Sequence, residues 1–170
     1  MDFTKVIESR KSIRKYDPAK KVPEDMLKRV LDAFRLAPSA CNIQPCELVV
    51  VTDKGTIEKL GAAYPRDWFK EAPAIIVGCV TPAKAWKRKD GASYAEVDLA
   101  IAFDHLILAA QNEGLGTCWI GAFDEKIVKE VLGIPKDVKV VAMTPLGFAA
   151  EAPAARGRKS LEEMVRRNKW

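Results

Sequence analysis

This chain is short of the residues from which most active sites are built. It has one histidine, His105, and four cysteines, Cys41, Cys46, Cys79 and Cys118, none in a C-x-x-C pair. Structural zinc needs closely spaced Cys and His ligands, so no metal site is expected. No convincing Ser/His/Asp or Cys/His set can be assembled either. No run of about 18 apolar residues is present to span a bilayer. The opening residues, MDFTKVIESR, lack the basic-then-apolar order of a signal peptide. A cytoplasmic location is therefore the expectation, with buried thiols rather than disulfides. The G-x-G-x-x-G fingerprint after a strand is also missing. Gly114 and Gly116 follow a helical stretch instead of opening one, which disfavours a Rossmann nicotinamide site. With no internal repeat, the 170 residues read as a single domain, 1–170, long enough to bury a core.

What the chain does have is positive charge. The formal net charge is +5, and basic residues gather at 10–15, 84–89 and 156–169. Such a balance favours anionic partners without choosing between a phosphate ligand and a polyanion. No recognition-helix, RNP or zinc-finger signature is present, so nucleic acid is disfavoured. The densest cluster sets Arg10, Lys11, Arg14 and Lys15 around Ser12. Taken alone, it is either a solvated turn or an anion site.

The hydrophobic pattern predicts alternating elements. Phe3, Val6 and Ile7 mark a short helix, and Met26, Leu27, Val30, Leu31 and Phe34 mark a second that opens near Pro23. The β-branched run 47–53, a short helix at 56–63 and the buried run 73–81 follow, then an exposed loop at 84–91. The longest helix is predicted over 93–113. From Leu99 to Ala110 it is apolar nearly all round, so it should be enclosed on most sides, with His105 inside. A short strand at 117–121, a helix capped by Asp124, a strand at 138–148 and a small-residue arm complete the order. Ser160 and Glu163 have capping-box spacing at a last helix. This pattern fits one sheet of about four strands with helices on both faces.

Four segments, RKSIRKY (10–16), APSACNIQPCELVVV (37–51), AAQNEGLGTCWIG (109–121) and MTPLGF with ARGRKSLEEMV (143–148, 155–165), together resemble the nitroreductase family, in its compact FMN-dependent branch. The resemblance implies an α+β, three-layer fold with a mixed, mainly antiparallel sheet and a long central helix. It further implies a C-terminal arm and helix, 150–170, exchanged between the subunits of a homodimer that holds FMN at its interface. By this likeness Arg10, Lys11, Ser12 and Arg14 hold FMN. Pro38, Ser39 and Ala40 lie against the ring of the neighbouring subunit's flavin, and Asn42 and Gln44 serve the ribityl chain or brace their loop. A backbone N–H at Ile120 or Gly121 faces flavin N5, and Arg156 and Arg158 clamp the phosphate.

The implied activity is hydride transfer from NAD(P)H to FMN and on to a small acceptor, by a ping-pong scheme that needs no catalytic side chain. Other chemistry on the same scaffold, reductive dehalogenation or flavin breakdown, stays open, as does a non-enzymatic flavin- or polyanion-binding protein. Two departures stand out. Cys46 replaces the usual Trp. The stretch 64–73 has no Asn for the pyrimidine edge of the flavin, which leaves Trp68 as a candidate substrate-side wall and Phe69 as core.

Overall fold

The computed structural model describes residues 2–170. Four strands, β1 (Cys46–Val51), β2 (Ala74–Val80), β3 (Gly116–Thr117) and β4 (Lys139–Gly147), form one sheet in the order β1-β2-β4-β3. Every ladder is antiparallel, with Cys46 opposite Val80, Ala74 opposite Leu146 and Gly116 opposite Gly147. The mixed, mainly antiparallel sheet expected from the sequence is thus wholly antiparallel in its ladders. Among the described residues, the one parallel pairing is an isolated bridge, Ser12 to Thr117.

Side chains alternate across a strand, and β2 divides its runs between two cores. Ile75, Val77 and Cys79 face one layer with Leu60, Phe69 and Val128. Ala74 and Ile76 face the other with Leu27, Val30, Phe103 and Leu106. The first layer is built by α3 (Lys54–Leu60), α4 (Asp67–Glu71) and α6 (Glu125–Leu132), the second by α2 (Glu24–Arg35) and α5 (Ala95–Asn112). A short α1 (Phe3–Ser9) lies against α5, and α7 (Leu161–Met164) ends the arm.

Local chemistry accounts for the boundaries. Asp53 caps α3 and Asp124 caps α6 by accepting backbone N–H groups of the first turn. Gly133 ends α6 in the left-handed conformation that a Cβ would strain. The capping box at Ser160 and Glu163 forms, but its helix runs only four residues. The helix α4 falls in a stretch with no periodic apolar stripe, and pattern alone did not place it. Phe69 within it is fully buried, as expected.

Candidate functional site

The basic segment is pinned from below by its two apolar members. Ile13 and Tyr16 are buried, and the Tyr16 hydroxyl donates to the Ile13 carbonyl at 2.8 Å. The Ile13 N–H donates to the Thr117 carbonyl at 2.9 Å, which fastens the segment to the end of β3. The residues between these anchors, Arg14 and Lys15, remain exposed. The chain leaving β4 then lies along the same segment. The Asp17 N–H donates to Phe148, and the Ala150 N–H donates to Lys15 at 2.9 Å. That course carries the arm back over the basic turn. Arg10, Lys11, Ser12, Arg14, Arg156 and Arg158, with Pro153 and Ala154, line one cavity of about 220 Å³.

This cradle is a donor set without a lining carboxyl group. Among the described residues, none of its arginines or Lys11 enters a salt bridge. Some cations elsewhere are matched, Arg29 with Asp25 and Glu113 and Lys28 with Asp32, so what sets the cradle apart is that its unpaired cations share one cavity. Nη1 of Arg158 reaches only its neighbour's carbonyl, Gly157, at 3.4 Å. Glu151 acts on the backbone instead, its Oε1 accepting the Arg14 N–H at 2.5 Å. The field reaches the thiol beneath. Burial pushes the Cys118 thiol up, against the pull of Arg14, the Ser12 hydroxyl and Arg10. Guanidinium forks and a hydroxyl around a small cavity match the oxygens of a phosphate monoester, which carries about two negative charges at neutral pH.

The second expected group lies elsewhere in the chain. Pro38, Ser39 and Gln44 line a separate cavity of about 210 Å³ with Phe34, Cys46, Asp98 and Ala102. Three non-glycine residues of this loop, Cys41, Asn42 and Gln44, have positive φ values of 52°, 56° and 55°. The Ser39 hydroxyl accepts the Gln44 N–H at 3.0 Å, and the Asn42 N–H donates to the Ser39 carbonyl at 2.9 Å. Asn42 is exposed, and Ala40 is held by Asp98.

The third group resolves into one residue. The Ile120 N–H donates to the Met143 carbonyl at 2.9 Å and so closes the sheet. That bond corrects half of the expectation, because an N–H committed to the sheet is not offered to a ligand. The adjacent Gly121 is exposed and its N–H makes no internal bond among the described residues. A Cβ added at Gly121 would meet only the Trp119 Nε1, at 3.9 Å, so this stretch of backbone is open to close approach.

The nitroreductase family profile matches residues 7–64 and 61–148. The chain belongs to the nitroreductase family. A candidate NADH dehydrogenase/NAD(P)H nitroreductase of Methanothermobacter thermautotrophicus is 32% identical over 161 residues, covering 92% of this chain and 82% of the relative. A nitroreductase family protein of Clostridium difficile 630 superposes over the full length of both chains with a TM-score of 0.92 at 30% identity. An FMN-dependent nitroreductase of Clostridium difficile R20291 does so with a TM-score of 0.86 at 26% identity, over 98% of this chain and 99% of that one.

In this nitroreductase-family chain one residue differs from the sequence reading, and two others take their roles from packing. His105 is exposed on α5 rather than interior, because the chain itself covers only the α5 face that carries Leu99, Ala102, Phe103 and Leu106. Asp98 is buried, and its Oδ1 accepts the Ala40 N–H of the chain's own 38–44 loop. Trp68 is half-buried, meets Tyr64 edge-on at 5.6 Å and lines a wide cleft. Arg14, Lys15, Tyr64, Arg66, Glu71 and Glu151 share that cleft, so Arg14 borders both it and the phosphate-sized cradle. Tyr64 was missed as a candidate, since its place beside Arg14 comes from packing and not from spacing.

Proposed function

We propose that this nitroreductase-family chain is an FMN-dependent oxidoreductase that takes reducing equivalents from NAD(P)H and delivers two electrons to a nitroaromatic, quinone or related acceptor in a ping-pong cycle. The observation that carries the reading is the cradle, where two segments from opposite ends of the chain bring unpaired cations to one small cavity. Arg10, Lys11, Ser12, Arg156 and Arg158 would hold the FMN phosphate, with Arg14 at the boundary toward the Trp68 cleft. When bound, FMN supplies the hydride-accepting and electron-delivering chemistry. Arg14 puts positive charge beside that cleft, where it favours a reduced, anionic ligand. The free Gly121 N–H offers a donor on backbone that a ligand can approach closely. No side chain has to act as nucleophile or general base.

The chain acts as a homodimer in this reading. The loop carrying Pro38, Ser39 and Ala40 borders a different cavity from the cradle, so one chain's loop would complete its partner's site. Val97 and Ile101 on α5, and Leu161, Met164, Val165 and Trp170 on the arm, are exposed apolar side chains that a second copy would cover. No helix among the described residues is long and apolar enough to cross a membrane.

The test is a visible absorption spectrum of purified protein supplied with FMN, before and after NADH or NADPH is added without oxygen. A flavin band that bleaches with nucleotide supports the oxidoreductase. A band that persists leaves a flavin-binding protein. Protein that takes up no flavin but binds DNA with a steep salt dependence would replace this reading with a polyanion site.

A further inference from the structure

The 38–44 loop is held in an unfavourable shape, and one buried side chain outside it does the holding. Left-handed backbone is costly for residues other than glycine and persists only where the surroundings over-determine it. Here Cys41, Asn42 and Gln44 adopt it together. Most bonds that stabilise the loop are internal to it: Ser39 Oγ with the Gln44 N–H, the Ser39 carbonyl with the Asn42 N–H, and Gln44 Nε2 with the Asn42 carbonyl. The exception is Asp98 on α5, whose Oδ1 accepts the Ala40 N–H at 2.9 Å.

Asp98 is only 2% exposed, and its Oδ2 has no hydrogen-bond partner among the described residues. A buried polar group left unpaired is uncommon and marks a position kept for a reason other than packing. An apolar side chain would suit α5 better here, since its neighbours Leu99 and Ala102 are core residues. The rigid α5 is thus coupled by one carboxyl oxygen to the backbone of a loop that has no other side-chain tether among the described residues.

We infer that Asp98 is a positioning residue for the flavin site: through the Ala40 N–H it sets the conformation of the 38–44 loop, and so the surface that Pro38, Ser39 and Ala40 present to the ring. This rests on the FMN reading above. The phosphate cradle does not depend on it, because the two cavities share no lining residue.

The experiment uses full-length protein and three variants, Asp98→Ala, Asp98→Asn and Ala40→Pro. FMN affinity is read by flavin fluorescence, the ring environment by visible circular dichroism, and the cradle by competition with inorganic phosphate. Asp98→Asn keeps an acceptor oxygen for the Ala40 N–H. Ala40→Pro removes that donor, and Ser39 before it is already extended, as a residue preceding proline must be. Asp98→Ala and Ala40→Pro are expected to weaken FMN binding roughly ten-fold and alter the dichroism. Asp98→Asn is expected to restore both, and phosphate competition should be unchanged throughout. FMN binding and dichroism like wild type in Asp98→Ala, or in Ala40→Pro should the first variant not fold, would overturn the assignment. Wild-type protein that binds no FMN would overturn the function reading itself, before any variant is compared.

Discussion

Ile13 sits directly on Gly116: a Cβ built on the glycine would stand 2.8 Å from the Ile13 Cγ1. The contact joins the basic segment to β3 beside the Ile13–Thr117 hydrogen bond, so the cradle's position depends on the absence of a side chain. Gly116→Ala forces Ile13 outward. Overpacking of this kind costs about 1–3 kcal/mol. Chemical denaturation should show that loss, and FMN titration of the folded fraction should show weaker binding, because Arg10 and Arg14 move with Ile13. Unchanged stability and affinity would mean that the segment is anchored elsewhere.

Removing two cradle arginines tests the phosphate assignment. Hydrogen bonds to charged groups contribute about 1.5–3 kcal/mol each, and the partial exposure of these side chains lowers that through screening. Arg10→Ala combined with Arg158→Ala should therefore weaken FMN binding by at least about ten-fold. Riboflavin, which lacks the phosphate, should bind the variant and the parent alike. Equal losses for both ligands would move the arginines away from the phosphate.

Gly121 should tolerate a methyl group structurally but not functionally. A Cβ there has open space apart from Trp119 Nε1 at 3.9 Å, so Gly121→Ala should keep the parent's melting temperature. Misplacement by about 1 Å at a reacting centre can cost roughly a hundred-fold in rate. Stopped-flow reduction of the flavin by NAD(P)H should slow by about ten-fold or more. Parent-like reduction would remove this backbone from the ring's surroundings.

The thiols predict an alkaline limit to stability. Burial, helped by Asp98, pushes the Cys46 thiol from 9.0 up to about 12, and burial with Glu47 and Glu125 pushes Cys79 up to about 11. Folding therefore favours the protonated thiols. Their contribution is complete below the unfolded value near 9 and is lost as pH rises through 11 and 12. Melting temperature should fall across that window, and fall less in Cys79→Ala relative to its own value at pH 8. At pH 8 a thiol reagent should modify exposed Cys41 quickly and the other three only after denaturation, since the thiolate is the reactive form.

Much of the fold is legible in the chain itself. The β-branched runs became β1, β2 and β4, and the long apolar stretch became α5; β2 is buried throughout, and burial on both faces demands continuous hydrophobicity. Asp124 and Ser160 announce their helices through caps that act within one turn. The helix α4 was not legible. Its five residues present no repeating stripe, and they are helical because Phe69 is drawn into the core.

The site divides along the same line. The sequence by itself determined the residue types: clustered cations at both ends, a loop rich in Pro, Ser, Asn and Gln, and a glycine after a strand. Their charge and shape are local properties. Only the tertiary structure decided which of them meet. It brought Arg156 and Arg158 to Arg10, and it left the Ser39 loop at a separate cavity. It spent the Ile120 N–H on Met143 and freed that of Gly121. It turned His105 outward and Asp98 inward. Those outcomes depend on which face of a helix is covered and which carbonyl lies opposite an N–H, and both are set by residues far away in the chain.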